Sequence, residues 1–273
     1  GGGRGGWGGA PVWRGGPGRE GRGSGRRREG GSATIEATTR RESVNAAMSV
    51  YGGAPTITGC TLSETTGNGF GLDVHGGTVT LRDTTITGNA GAAMTLYAGA
   101  VLEGLTGLTV ADNTGGNVVR YRSTEIPTSQ TWKNFGLPYV LMDGWVYVRG
   151  AASPVLTIEP GVEVRMNSGH GMSIGYGSTP GGLIAVGTAG EPIRFTSHAG
   201  SVEAGHWARL AFHPQSVAGT TVANAIVEGA GQDGDGALVV YGGAPVFRSV
   251  TLRKNRGSGL RIEGGSPTIE STT

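Results

Sequence analysis

Residues 52–75, GGAPTITGCTLSETTGNGFGLDVH, are followed by residues 76–97, GGTVTLRDTTITGNAGAAMTLY, and the two segments share one pattern. Each opens on a Gly pair, passes through apolar positions and a turn, and closes on a short alternating run such as Leu72-Asp73-Val74-His75. Strict alternation is typical of a β-strand with one buried face. Further segments with this pattern open at Gly30, Ala98, Gly242 and Gly264. The chain is therefore predicted to be an array of short β repeats of 22 to 24 residues.

Aligned repeats place apolar residues in three shared columns. The columns are Ile57, Leu81 and Leu105, then Leu62, Ile86 and Val110, then Leu72, Met94 and Val118. One repeat is too small to bury a core, but stacked repeats bury a continuous one, with equivalent residues about 4.8 Å apart along the axis. The pattern predicts an all-β solenoid, a parallel β-helix, in which Cys60 is a small buried core residue.

Longer sequence matches resemble known β-helix proteins. The repeats resemble those of the right-handed parallel β-helix proteins, the broad pectate-lyase-like superfamily. The segments 154–162 (PVLTIEPGV), 182–188 (GLIAVGT) and 191–197 (EPIRFTS) resemble a module common in large bacterial surface and secreted proteins of this kind. The resemblance implies a right-handed solenoid. It does not imply an activity, because this fold hosts lyases, hydrolases, adhesins and inert stalks.

Composition and charge exclude several classes of protein. Gly accounts for 55 of 273 residues and charged residues for 15%, which excludes a helix-rich protein. No apolar run is long enough for a membrane span. Residues 1–41 carry a net charge of +6, which leaves −4 for residues 42–273. Nucleic-acid binding is therefore not expected outside the first forty residues.

The N-terminal segment, residues 1–29, is rich in Gly and Arg. Residues 8–39 match residues 242–273 at 21 of 32 positions, and Arg26 and Arg28 align with Leu260 and Ile262 of the second copy. We expect a degenerate or misread coil, with a disordered linker or an RNA-binding Arg-Gly tail as alternatives. Further coils follow residues 8–39, whereas the sequence stops at the end of the matching residues 242–273. The sequence is therefore expected to be a fragment of a longer array.

Two runs of coils are predicted after this segment. Residues 30–121 form the first run and residues 138–273 form the second. Residues 122–137 are expected to be a polar joint, because Arg120 occupies an otherwise apolar, inward column.

An aromatic column is the main candidate for a binding site. It consists of Tyr51, His75, Tyr97, Tyr121 and Tyr241, each of which closes a repeat. By alternation with inward residues, these side chains are expected to point outward. They either stabilise neighbouring coils by stacking or form a platform for sugar rings or a partner surface.

A weaker candidate site combines His170 with an acidic pair. Residues 169–171 resemble the Gly-His-Gly motif of polygalacturonases, but the Asp residues that accompany the motif in that family are missing here. Asp233 and Asp235 alternate with Gly, which is typical of a solvated corner and leaves a weak calcium site as an alternative. No catalytic residue, metal or other cofactor is predicted.

These observations favour a non-catalytic structural or adhesive segment of a larger secreted or cell-surface bacterial protein. Its expected partner is a polysaccharide or another surface protein. The alternative is a polysaccharide-active lyase or glycoside hydrolase whose catalytic coils are divergent or lie outside this sequence.

Overall fold

The computed structural model describes the backbone of residues 12–14, 26–28 and 34–273. The chain is all-β, a parallel β-solenoid of about nine turns, and the described residues include no helix. The predicted fold class is confirmed. None of the described residues belongs to a helix of the length and hydropathy that a bilayer crossing requires. Most of residues 1–29, the predicted degenerate or disordered segment, lies outside the described residues.

The strands are short and follow one another at regular intervals. The first fourteen are β1 (Val12–Arg14), β2 (Arg26–Arg28), β3 (Thr34–Glu36), β4 (Thr39–Arg40), β5 (Ala46–Val50), β6 (Thr56–Thr58), β7 (Thr61–Ser63), β8 (Phe70–Val74), β9 (Gly77–Arg82), β10 (Thr85–Thr87), β11 (Met94–Leu96), β12 (Ala100–Thr106), β13 (Thr109–Ala111) and β14 (Val119–Tyr121). The remaining fifteen are β15 (Glu125–Ile126), β16 (Gln130–Trp132), β17 (Tyr139–Leu141), β18 (Val146–Val148), β19 (Val155–Ile158), β20 (Glu163–Met166), β21 (Met172–Ile174), β22 (Gly182–Val186), β23 (Ile193–Ser197), β24 (Leu210–Phe212), β25 (Thr221–Glu228), β26 (Leu238–Val240), β27 (Val246–Arg253), β28 (Leu260–Ile262) and β29 (Thr268–Glu270).

The chain divides into two compact units. The first contains the residues up to Ala93 together with Leu102–Gly116. In this unit β1, β3, β6, β9 and β12 form one parallel sheet, β4, β7, β10 and β13 form a second, and β2, β5 and β8 lie side by side in a third. Gly67 and Gly88 adopt φ of +66° and +65° at corners between strands, where a side chain would be strained.

The core of the first unit follows the columns expected from the sequence. Ile57 pairs with Leu81, and Leu62 pairs with Ile86, which pairs with Val110. The first four of these side chains are fully buried, and Cys60 is buried beside them, as predicted. The side chain of Leu105 lies outside the described residues. At one corner the buried Asn89 donates from Nδ2 to the Leu62 carbonyl (3.1 Å) and to Asn113 Oδ1 (2.8 Å).

The second unit contains Met94–Val101 and Asn117–Thr273. One of its sheets has β15, β18, β21, β24, β26 and β28 in that order, all parallel. The other orders β16, β19, β22, β25, β23, β20, β17, β14 and β11, and β27 pairs with β25 and β29. Trp132 stacks on Tyr139 at 4.8 Å in the buried core, and Trp207 is fully buried.

The expected outward orientation of Tyr121 is wrong. Met94 pairs with Val119 rather than Val118, so the two strands are offset by one residue from the aligned columns. A one-residue slip moves every side chain to the opposite face. Tyr121 therefore lies in the core, where burial raises its pKa to about 12 and its hydroxyl donates to the Glu125 carbonyl (2.8 Å). Arg120 correspondingly leaves the inward column and bonds to Asp143 (2.8 Å).

Residues 122–137, expected to be a polar joint, contribute two strands to the second unit. β15 pairs with β18, and β16 pairs with β19. Ile126 and Trp132 in this segment are buried. The segment therefore takes part in the solenoid.

Candidate functional site

The six-stranded sheet of the second unit presents a row of outward side chains. Its inward residues, such as Val146, Val148, Leu210 and Phe212, are at most 1% exposed. The residues between them point to the opposite face, because side chains alternate along a strand. Strand register places Tyr147 beside Ser173, and Ser173 beside Ala211. The sheet thus aligns one large and two small side chains across three strands.

A cavity of about 230 Å³ lies over this row. It is lined by Trp145, Tyr147, Ser173, Tyr176, Arg209, Ala211, His213 and Tyr241. Ser173 and Ala211 form a floor of small residues, and five of the other six lining residues are aromatic or imidazole rings. A concave surface that combines aromatic rings with fixed polar groups is typical of a site for a small organic ligand.

The rings along one side of the cavity contact one another in sequence. Tyr147 and Tyr176 have ring centroids 5.3 Å apart, and Tyr176 meets the edge of His213 at 4.9 Å. His213 stacks on Tyr241 at 5.0 Å with an interplanar angle of 19°. Burial, reinforced by the charge of Arg209, lowers the pKa of His213 below its ordinary value of 6.5, so this ring is uncharged at neutral pH.

Arg209 supplies the charged group of the cavity, and its position is fixed by an ion-pair network. Its two terminal nitrogens donate to Asp233 and Asp235, and one of them also lies 3.2 Å from the Tyr241 hydroxyl. Its guanidinium carbon lies 5.7 Å from the centre of the Trp145 ring, within the range of a cation–π contact. Arg209 therefore contacts two of the aromatic residues that line the cavity, Trp145 and Tyr241.

Gly171 allows the Arg209 backbone and the Trp145 ring to lie close to its own backbone. A Cβ at this position would lie 2.4 Å from the Arg209 carbonyl oxygen and 3.0 Å from Cζ3 of Trp145. Gly169, two residues earlier, adopts φ of +77° in a turn. Close packing at Gly171 and a positive φ at Gly169 therefore explain both glycines of the Gly-His-Gly motif without any catalytic role.

The weaker candidate residues are only partly brought together. Asp233 and Asp235 both bind Arg209, and Asp235 also accepts from Arg261 (2.7 Å). In the described part of the chain, no hydrogen bond or ion pair joins His170 to either carboxylate, and the buried Nδ1 of His170 has no hydrogen-bond partner there. Residues 34–273 contain no group of three or more His, Cys, Asp or Glu side chains that could hold a metal ion. The weak calcium site at Asp233 and Asp235 thus gains no third acidic ligand.

In comparisons with protein-family models, curated proteins and solved structures, nothing matches this chain. The cavity therefore has to be interpreted from its own chemistry.

The residues of the predicted aromatic column follow strands of more than one sheet. Tyr51 and His75 follow β5 and β8 in the first unit, where their rings stack at 4.3 Å and His75 Nε2 lies 2.9 Å from Asp73 Oδ2. Tyr97, in the second unit, lies under the Arg122 guanidinium at 5.8 Å. Tyr241 follows β26, in a sheet to which the first unit contributes no described strand, and it lines the cavity.

Sequence reasoning missed most of the cavity. Trp145 is half-buried and forms part of the lining, and it was not predicted to be a site residue. Tyr147, Tyr176, Arg209 and His213 were not predicted to be site residues. The signal that could have found Tyr147 was the alternation in Val146-Tyr147-Val148, which places the middle residue on the outward face. The same alternation, extended by one residue on either side of Leu210-Ala211-Phe212, places Arg209 and His213 on that face.

Proposed function

We propose that this cavity is a non-catalytic carbohydrate-binding site. The observation that carries the proposal is the aromatic wall around a floor of small residues, with Arg209 in contact with both Trp145 and Tyr241. The apolar face of a sugar ring packs on aromatic rings, and its hydroxyls need a few fixed polar partners. A cavity of about 230 Å³ is smaller than the roughly 300–1,000 Å³ of sites for drug-sized ligands, which suits one ring of a longer chain.

A non-catalytic role is supported by the state of the nearby carboxylates. Glycoside hydrolysis needs one carboxyl group as an acid and another as a base or nucleophile on either side of the bond that breaks. Asp233 and Asp235 both form ion pairs with Arg209, and neither lines the cavity. Their chemistry therefore suits positioning of the arginine rather than proton transfer to a leaving group.

Under this proposal the solenoid is a rigid carrier of a binding surface within a larger secreted or cell-surface bacterial protein. Its place in the pectate-lyase-like superfamily is part of the same proposal. The support is the parallel pairing of strands in coils of about 22 to 24 residues, which recur in both units.

The test is a glycan array with the full chain, followed by calorimetry on the sugars that bind. Tyr176 is 45% exposed, so Tyr176→Ala should leave the fold intact and weaken binding at least about tenfold. Tyr51 is 41% exposed and belongs to the first unit, so Tyr51→Ala is a matched control that should bind like the wild type. Equal loss in both variants, or release of shortened sugar products, would contradict the proposal.

A further inference from the structure

The charged groups around the cavity are arranged so that each guanidinium is already neutralised. Arg209 lines the cavity, and both of its terminal nitrogens are taken by carboxylates, those of Asp233 and Asp235. Its side chain is only 13% exposed, so a ligand meets it as a held pair rather than as a free cation.

A second guanidinium lies against the rings of the cavity wall. The guanidinium carbon of Arg149 lies 4.9 Å from the ring centre of Tyr147 and 5.6 Å from that of Tyr176. Its Nε and Nη2 both donate to Glu125 Oε1, at 3.1 and 2.5 Å. This cation is therefore also compensated by a carboxylate of the neighbouring coil.

The third guanidinium, that of Arg261, extends the ion pairs of Arg209. Arg261 donates from Nη1 to Asp235 (2.7 Å), and its Nη2 lies 2.7 Å from Glu263. Together the Arg149 pair and the Arg209 cluster contain three guanidiniums and four carboxylates, a net charge of −1. His213 contributes no positive charge at neutral pH, because its pKa is lowered by burial and by Arg209.

This balance discriminates between classes of sugar. The carboxylate of a uronic acid would find these three guanidiniums already paired and would be repelled by the excess negative charge. The hydroxyls of a neutral sugar, in contrast, carry no charge and can bond to the hydroxyl groups of Ser173 and the tyrosines that line the cavity.

We infer that the cavity selects neutral sugars and rejects uronic acids. The inference rests on the proposed carbohydrate-binding function and adds to it the class of ligand. It assigns Asp233 a double role, since its carboxylate holds Arg209 in place and at the same time turns away acidic rings.

The experiment compares binding of the full chain to oligosaccharides that differ only in oxidation at C6. The pairs are glucose and glucuronate oligomers and galactose and galacturonate oligomers, added to an array of neutral hexose and N-acetylhexosamine chains. We expect neutral members to bind at least about tenfold more tightly than their acidic counterparts at low salt. The ratio should fall as salt screens the repulsion.

A charge variant tests the cause of the selectivity. Asp233→Asn removes one negative charge and weakens the pairing of Arg209, so the preference for neutral over acidic sugars should fall at least about fivefold. Glu270→Gln removes the same charge elsewhere in the unit, where Glu270 is 52% exposed in a pair with Arg248, and should leave the ratio unchanged.

The possible results distinguish a failure of the proposed sugar binding from a failure of the proposed selectivity. Binding to no sugar on the array would overturn the proposed function itself. Sugar binding that is lost in Tyr176→Ala, but with acidic members equal to or tighter than neutral ones, would leave the function standing and overturn the selectivity. An unchanged ratio in Asp233→Asn would overturn the assigned role of this carboxylate.

Discussion

Glu228 is a buried carboxylate on which the stability of the second unit should depend. It ends β25 with 1% exposure, and its Oε1 accepts from Arg194 Nη2 and from Thr196 Oγ1 (3.2 Å). Its Oε2 accepts from Arg253 Nε (2.8 Å). The substitution Glu228→Gln keeps the shape but removes the charge and replaces one oxygen by an NH2 group. We expect this change to destabilise the unit.

The expected loss of unfolding free energy follows from the hydrogen bonds that Glu228 accepts. With Nε2 in place of Oε2, the glutamine sets a donor opposite the Arg253 donor, so one charge-assisted hydrogen bond, worth about 1.5–3 kcal/mol, is lost. The bond from Arg194 persists with about half its strength. Both guanidiniums are 40–48% exposed and can turn to water, and the burial cost of the charge disappears, which together offset part of the loss. The expected net cost is about 2 kcal/mol.

The loss of stability caused by Glu228→Gln should become smaller as the pH falls. Burial raises the pKa of Glu228, but the hydrogen bonds and charges of Arg253 and Arg194 outweigh burial and hold the pKa below its ordinary value of 4.5. A carboxyl group with a lowered pKa in the folded state contributes stability above its unfolded pKa, and this contribution is lost as the pH falls through the folded pKa. The difference between wild type and Glu228→Gln should therefore be complete at pH 7 and shrink below pH 4.5.

Urea unfolding followed by tryptophan fluorescence measures this difference. Trp207 is fully buried and donates from Nε1 to the Glu228 carbonyl (2.8 Å), so its emission reports on the same region. With a slope of about 2 kcal/mol/M, the midpoint should fall by about 1 M at pH 7. The exposed pair of Arg248 and Glu270 provides the control, because Glu270→Gln should cost less than about 0.5 kcal/mol. Equal shifts in both variants, or a Glu228→Gln shift that persists undiminished at pH 3, would refute the reasoning.

Three further predictions concern packing and reactivity. Gly171→Ala should lower the free energy of unfolding by about 1–3 kcal/mol, seen as a lower thermal midpoint, and should weaken sugar binding, because the added Cβ would lie 2.4 Å from a backbone oxygen. Gly190→Ala, whose Cβ would meet nothing within 4 Å, should change neither stability nor binding. Cys60, buried with a pKa raised by desolvation, should react with a thiol reagent at pH 8 at least about 100-fold more slowly in the native chain than in urea, and equal rates would contradict its burial. Asn89→Ala should cost about 2 kcal/mol and speed hydrogen exchange in the first unit, whereas the exposed Asn68→Ala should have no such effect.

The fold could be predicted from the sequence because aligned positions of the repeat indicate which residues pair on neighbouring strands. In Thr56-Ile57-Thr58 and Thr85-Ile86-Thr87, one apolar residue stands between two polar ones, and the corresponding strands pair as the alignment predicts. Period-two alternation specifies both the strand and its buried face. A stacked coil then follows from the need of each repeat to bury that face.

Orientation could not be predicted where a corner changes length. The turn between β13 and β14 holds one residue more than the alignment assumed, so Val119 rather than Val118 follows Met94 in the ladder. The alternation within Val119-Arg120-Tyr121 is intact, but its phase depends on a turn whose length carries no periodic signal. This single offset exchanged the expected faces of Arg120 and Tyr121.

The cavity was harder to predict than the core. Ser173 and Ala211 are neighbours on adjacent strands, although the coil between them is longer than the 22 to 24 residues seen elsewhere. Arg209 acquires its role from ion pairs with Asp233 and Asp235, which follow on the next coil. Such contacts depend on which coils lie side by side, and a search for equal spacing does not align coils of unequal length.

The constant register of the coils has an evolutionary consequence. Thr34 pairs with both Val12 and Thr56, and Thr268 pairs with Val246 in the same way. Neighbouring coils in these pairs therefore present equivalent edges to one another. Recombination between repeats that adds or removes one whole coil would replace one interface by another of the same kind, with little disturbance of the remaining coils. The length of such a protein can thus drift by whole coils between lineages, while a binding cavity that spans several coils constrains the drift locally.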